Sequence, residues 1–159
     1  MYKRQEEGTI VLELWKLTIL HPTNAIKMKN LTEEFLRKQL ITYLTNIKQF
    51  PKSLIVKEKK ISTLPNLIRD CHLDRRIDLL IYTPTFQPLL LIECKATAIT
   101  VDAMKQVLGY NYYIGAPCVS IINQQECILQ WKDLHSKKCS SWEAFPSYPT
   151  CMDLYSHHV

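Results

Sequence analysis

An α/β domain with about five core strands is predicted by three features of this chain. Two Leu- and Ile-rich segments, residues 76–82 and 88–95, are joined by a short turn holding Pro84. A segment of helical period at 100–115 runs directly into an apolar strand at 117–122. A long amphipathic segment occupies 31–47. The two Leu/Ile segments are apolar on both alternating faces, as in central strands covered from both sides. Strand, helix and strand between Leu89 and Ile122 leave enough chain for a right-handed parallel crossover. The length of 159 residues and 47% hydrophobic content suit one domain with a buried core.

Three sections divide the chain: an N-terminal extension at 1–30, the domain at 31–132 and an irregular tail at 133–159. Within the extension, residues 9–20 are the nearest approach to a membrane-spanning run, but Glu13 and Lys16 interrupt them and no small-residue cleavage site follows. This stretch reads as an extra edge strand or a helix. Met28 stands just ahead of the first helix and offers a second start for translation, with the residues before it an extension.

The helix at 31–47 begins at Asn30 or Thr32 and carries acids in its first turn. Its apolar stripe is Leu36, Leu40, Tyr43/Leu44 and Ile47. Extended back one turn, the stripe reaches Glu33, with Arg37 four residues on, while Glu34 falls to the side. Glu33 either leans toward the sheet or serves the helix dipole and pairs with Arg37. A strand follows at 53–61, then a polar connection at 64–73, then the two central strands. The helix at 100–115 places Ala103, Val107 and Tyr110/Ile114 on its buried face and is closed by Gly115 and Pro117. Gln106 and Tyr110, four apart, share a face. Strand 117–122, a turn at 123–125 and strand 126–132 complete the core. In the tail, Pro146, Pro149 and several serines disfavour regular structure, and Trp142, Phe145 and Tyr148 are the residues able to tack it to the core.

Charges interrupt the two central strands, and their positions are informative. The turn at 83–88 is short enough for a hairpin, in which facing residues have a constant sum. Tyr82 opposite Leu89 then sets Leu80 against Leu91, Asp78 against Glu93 and Arg76 against Lys95, all on one face. Two carboxylates with Cβ atoms about 5 Å apart repel unless a proton or a divalent cation lies between them. A metal site is the economical explanation: Asp78 and Glu93 as hard oxygen ligands, with the backbone carbonyl of Cys94 and water completing the shell. Zinc is disfavoured, because the six cysteines show no C-x-x-C pairing and the five histidines no ligand spacing. Lys95, two residues beyond Glu93, would hold or activate a water and stabilise charge on a phosphate. The competing explanation is a structural ion-pair cluster with Arg76 as a further partner.

In order and at similar spacing, Thr32-Glu-Glu-Phe-Leu-Arg37, Arg75-Arg-Ile-Asp-Leu-Leu-Ile-Tyr82, Pro88-Leu-Leu-Leu-Ile-Glu-Cys-Lys-Ala96, Gln106 with Tyr110, Ala116-Pro117 and Ile122-Asn123 are present. Together they resemble the N-terminal nuclease domain of type I restriction enzyme R subunits, a branch of the PD-(D/E)xK superfamily, over roughly residues 31–132. The resemblance implies a three-layer α/β/α, restriction-endonuclease-like core with a mixed sheet. It implies Mg²⁺ or Mn²⁺ at Asp78 and Glu93, Lys95 as catalytic lysine, Gln106 and Tyr110 close to the active site, and help from Glu33 or Glu34. Ile77 stands where the superfamily motif has proline, a frequent variation that removes no ligand. The motor of full R subunits does not fit within 159 residues, and no Gly-x-x-x-x-Gly-Lys occurs, so ATP use is not expected of this chain.

Twenty Lys and Arg against 15 Asp and Glu give a net charge of +5, compatible with DNA as partner. Arg75, Arg76, Lys57 and Lys59, with Lys60 and Arg69, are the candidates for a phosphate-facing surface, although a solvated strand face explains the lysines equally well. Scattered cysteines, Cys94 and Cys118 within apolar strands, read as buried thiols in a reducing cytoplasm. No membrane partner is expected, and cutting both strands of a duplex invites a homodimer or two successive nicks. The function expected is metal-dependent hydrolysis of DNA phosphodiester bonds. The alternative is a nucleic-acid- or protein-binding module that keeps a nuclease fold without cutting.

Overall fold

The computed structural model describes residues 32–132, 137–139 and 145–158. The expectations for residues 1–31, among them the strand or helix at 9–20, an Asn30 cap and a start at Met28, lie outside the described residues, as does Trp142. In chain order the elements are α1 (Glu33–Asn46), β1 (Ile55–Lys60), β2 (Arg76–Tyr82), β3 (Pro88–Cys94), α2 (Val101–Ile114), β4 (Cys118–Ile122), β5 (Cys127–Trp131), β6 (Lys137–Cys139) and α3 (Tyr148–His158). Single 3₁₀ turns flank β1 at Lys52–Leu54 and Ile61–Thr63.

The strands lie in one sheet in the order β1-β2-β3-β4-β5-β6. Every neighbouring pair is antiparallel except β3 and β4, which are parallel and joined through α2. The sheet is therefore mixed, and the crossover lies where the sequence places it. Both faces of the central strands are buried, which accounts for their continuous apolar character. Leu80, Tyr82, Leu91, Val119 and Ile121 pack with Val107, Tyr110 and Ile114 of α2. Leu79, Ile81, Leu90 and Ile92 are equally inaccessible and, by strand alternation, face the opposite layer. That layer holds α1, whose Leu36, Leu40, Tyr43 and Leu44 are buried as the stripe predicts. The result is an α/β/α sandwich.

Local chemistry ends α2 cleanly. Thr100 Oγ1 accepts the Ala103 amide at 3.2 Å, and Gly115 takes φ +74° beyond the last turn. A Cβ at Gly115 would lie 2.7 Å from Cδ1 of the exposed Ile68, which can move aside, so it is the left-handed backbone that favours glycine there. The Asn111 amide then exchanges two 2.9 Å hydrogen bonds with the Ala116 backbone, aiming the chain into β4.

Two expectations are corrected. The described part of the tail is not wholly irregular: it supplies the edge strand β6, paired to β5, and the helix α3. Pro149 lies in the first turn of α3, where a missing N–H costs nothing, so the proline that reads as a breaker is compatible with a helix start. Phe145 and Tyr148 do tack this region down, their rings 6.3 and 5.4 Å from that of Phe50, and the Tyr148 amide donates to Lys48 O at 2.8 Å. The second correction concerns the hairpin. Leu80 faces Leu91 as expected, but Tyr82 faces Pro88 rather than Leu89, because the register shifts by one beside a turn in which Phe86 adopts φ +57°. At the other end the ladder stops at Leu79–Ile92, one step short of Asp78 and Glu93.

Cys71, Cys94, Cys118, Cys127 and Cys151 are buried free thiols. Among the described residues no helix is long and apolar enough to cross a membrane.

Candidate active site

The early end of the β2–β3 ladder creates the site. Beyond Ile92, β3 stays paired to β4 through Glu93–Ile121 and Cys94–Ile122, and Lys95 N donates to Ile122 O at 2.9 Å. β2 meanwhile stays paired to β1. A notch opens between β2 and β3, and side chains replace backbone pairing within it. Asp78 Oδ2 accepts the Cys94 amide at 2.8 Å, and Asp78 Oδ1 accepts Arg37 Nη1 at 2.6 Å. Cys94 thus meets Asp78 through its N–H, and its thiol is pushed far up by burial, reinforced by the Asp78 and Glu93 charges.

Glu93 is only 7% exposed. Its Oε1 lies 3.2 Å from Lys95 Nζ, while its Oε2 is buried without a hydrogen-bond partner. Burial, then the Asp78 charge, push its carboxyl up to about 7 against the opposing effect of Lys95. For Lys95, burial alone would lower the ammonium, but the charge of Glu93 and the hydrogen bond to it, with Glu33 and Asp78 adding, hold it above its ordinary value. Lys95 is therefore a cation at neutral pH, able to donate hydrogen bonds and offset negative charge.

Arg37 is the residue that the sequence reading undervalued. It is 7% exposed and joins two carboxylates, Asp78 and Glu58, each at 2.6 Å, rather than pairing with Glu33. The available signal was its position inside the apolar stripe, one residue after Leu36 and three before Leu40, where a cation is buried only if it is paired. Glu58 gave no such signal. The β1–β2 register passes from Lys57–Leu79 to Lys59–Ile77, which sets Glu58 abreast of Asp78, and Glu58 takes φ +51° within the strand. A non-glycine residue in this region is strained backbone, of a kind that gathers at functional sites.

The remaining candidates separate. Glu33 is exposed, yet its charge acts on Glu93 and Lys95, which places it toward the notch. Glu34 pairs instead with Lys38 at 2.7 Å on the helix surface. Gln106 Nε2 donates to Tyr110 Oη at 2.7 Å, and Tyr110 belongs to the same buried cluster as Ile77 and Leu91 of the two central strands. Arg76 does not oppose Lys95; its Nη1 donates to Glu58 O at 2.9 Å. Lys57 and Lys59 are exposed on the edge strand, Lys60 pairs with Asp74 at 2.8 Å, and Arg75 lines a cleft along α2.

Among the described residues no three His, Cys, Asp or Glu side chains converge as a metal cage. The donor set nevertheless suits a hydrated divalent cation. Glu33, Glu58 and Asp78 outnumber Arg37 and Lys95, so the notch is net negative even while Glu93 keeps its proton, and Glu93 Oε2 is buried without a hydrogen-bond partner. Mg²⁺ is commonly held by one or two carboxylates with water in the remaining positions. Each Asp78 oxygen retains a lone pair beside its present hydrogen bond.

The raised carboxyl of Glu93 has a consequence for stability. In the unfolded chain it titrates near 4.5 and in the fold near 7, so the stabilising contribution of its protonated form is complete below pH 4.5 and is lost as pH rises through 7. The shift corresponds to about 3 kcal/mol. In EDTA, urea unfolding should show stability falling by up to about this amount from pH 5 to pH 8. Glu93→Gln should flatten the fall, and an unchanged pH profile in that variant would refute the assignment.

A mixed six-stranded sheet between helical layers, with two carboxylates and a lysine at the parting of β2 and β3, defines an α/β/α domain with a charged notch at its centre. The sequence matches the family described as type I restriction enzyme R protein N terminus over residues 32–146. The chain belongs to that family. Among solved structures it is similar to a fragment of a candidate HsdR subunit of a type I restriction enzyme from Vibrio vulnificus YJ016, with 15% identity and a TM-score of 0.60 over 80% of this chain. The chain spans 26% of that structure's length. A second similar structure is a candidate nuclease of the DUF820 group from Anabaena variabilis, with 11% identity and a TM-score of 0.46, covering 78% of this chain and 80% of the other. No curated protein matches the sequence.

Proposed function

We propose that this chain is a divalent-metal-dependent nuclease that hydrolyses DNA phosphodiester bonds, with Asp78 and Glu93 holding Mg²⁺ or Mn²⁺. The observation that carries the proposal is Glu93 Oε2, buried with no hydrogen-bond partner, on a carboxyl that feels the negative charge of Asp78 and whose other oxygen meets the Lys95 ammonium. A bound divalent ion supplies Lewis acidity toward a phosphoryl oxygen and lowers the pKa of water. The protein's own groups have separate tasks. Lys95, held as a cation, orients a water by donating to it and offsets charge growing on the phosphate. Arg37 fixes the Asp78 carboxylate from one side while the Cys94 amide fixes it from the other. Glu33 adds negative potential at the mouth of the notch, and Gln106 with Tyr110 braces the flank of the sheet. Membership of the R-subunit family supports DNA as substrate and a cytoplasmic setting.

One observation favours the second reading, a binding module that does not cut. The Arg37 guanidinium already balances Asp78 in this arrangement, as a cation would. Incubation of supercoiled plasmid and of single-stranded DNA with the protein in Mg²⁺, Mn²⁺ or EDTA separates the two. Metal-dependent cleavage by the native protein, abolished in Asp78→Ala, is the expected result. Intact DNA in every metal with folded native protein would sink the nuclease reading and leave the binding module.

A further inference from the structure

We infer that the cleft along α2 is a seat for a single nucleic-acid strand, with a base stacked on Tyr112 and its phosphates on Arg75 and Lys105. The cleft has a volume of about 720 Å³ and begins at the Gln106–Tyr110 pair. No Asp or Glu lines it, and among the described residues neither Arg75 nor Lys105 forms an ion pair. Its positive charge is therefore available to a polyanion. Tyr112 is 57% exposed although it is a large aromatic side chain. Its ring is held rather than free: the Arg69 guanidinium lies 4.1 Å from the centroid and donates to Tyr112 O at 2.7 Å, and Tyr113 meets the ring edge-on at 5.2 Å. An anchored, exposed aromatic beside cations that form no ion pair is the kind of platform on which unpaired bases stack.

Gly109 supplies the independent argument. It lies in the interior of α2, where glycine weakens a helix relative to alanine. A Cβ built there meets nothing within 4 Å, so no internal contact requires its absence. Yet Gly109 lines the cleft together with Arg75, Lys105 and Tyr112. An exposed stretch of bare helix backbone in an open cleft leaves room for a molecule that approaches from outside. A duplex presents its bases stacked inward, whereas a single strand offers exposed π-faces to Tyr112 and phosphates to Lys105 and Arg75.

The inference rests on the nuclease reading for its purpose, delivery of a strand toward the notch, but its test does not depend on cutting. Fluorescence anisotropy in EDTA would compare a labelled single-stranded DNA, the same sequence as RNA, and the DNA duplex. Expected are single-strand binding about tenfold tighter than duplex binding, and a loss of about tenfold for Tyr112→Ala, the size of one base–aromatic stack. Gly109→Ala should melt at a higher temperature than the native protein and still bind the single strand several-fold more weakly. A preference for either the deoxy or the ribo strand supports the cleft and names its strand. Native-like single-strand binding by both folded variants overturns the inference and leaves the face to a protein partner. Retained strand binding without any metal-dependent cleavage defeats only the nuclease reading; cleavage with no effect of either variant on binding defeats only the cleft.

Discussion

Lys95→Ala is expected to lower metal-dependent cleavage by about 10²- to 10³-fold, the usual loss when one preorganised donor to a developing charge is removed. The side chain is short of full burial at 19% exposure, and its only described polar contact is Glu93 Oε1 at 3.2 Å, so its removal leaves little packing deficit. The electrostatic change is larger than the steric one. Lys95 is the cation that opposes the upward push on the Glu93 carboxyl, and without it Glu93 is still harder to ionise in the absence of metal. A divalent cation bound to the carboxylates would no longer be repelled by a neighbouring ammonium. At about pH 9, where Glu93 is ionised in both proteins, calorimetric Mg²⁺ binding by Lys95→Ala should therefore be as tight as by the native protein or tighter, while cleavage falls. Lys95→Arg should not recover activity, because a planar fork cannot reproduce a compact ammonium near the same oxygen. Loss of metal affinity together with loss of cleavage in Lys95→Ala would place the effect in the metal site and refute a direct role for the ammonium.

The central hairpin shows what sequence could and could not reveal. Apolar runs with charges at Asp78, Glu93 and Lys95 identified the strands and singled out the charges that gather at the notch, because burial of such residues needs a compensating partner wherever the chain runs. A constant-sum register placed Leu80 against Leu91, but it assumes an unbroken ladder, and the ladder is broken at both ends. Those breaks matter: the notch between Leu79–Ile92 and the pairs of β3 with β4 is what lets Asp78 reach the Cys94 amide. Arg37 was hidden for a related reason. Helical spacing relates it to Glu33, whereas its partners Asp78 and Glu58 are 41 and 21 residues away and meet it only through the tertiary fold. The φ of Glu58 carries no residue signature at all, since the context rather than a glycine imposes it. Strand β6 and helix α3 were lost to local rules, the one too short to show a period and the other starting with a proline.

Arg37 also gives the sharpest test of how the notch balances its charge. Arg37→Ala leaves Asp78, with its side chain 15% exposed, without the guanidinium, and breaking a buried pair from one side costs about 3–5 kcal/mol. The half-exposed Glu58 adds little to this, because water screens it. Urea unfolding in EDTA should accordingly show a loss near the lower end of that range, about 3 kcal/mol. Arg37→Met combined with Asp78→Asn should recover most of the loss, since the packing volume returns and no uncompensated charge remains. The decisive comparison adds metal. A divalent ion held by Asp78 and Glu93 can take over the balancing of Asp78 that Arg37 performs, so Mg²⁺ should raise the melting temperature of Arg37→Ala by more than it raises that of the native protein. Cleavage by Arg37→Ala should persist at a reduced level, because the ion is retained but the carboxylate is anchored by the Cys94 amide alone. If Mg²⁺ stabilises Arg37→Ala no more than the native protein, Asp78 is not a metal ligand. Its charge then belongs to a permanent ion pair with Arg37, and the notch is a structural junction of α1, β1 and β2 rather than a catalytic one.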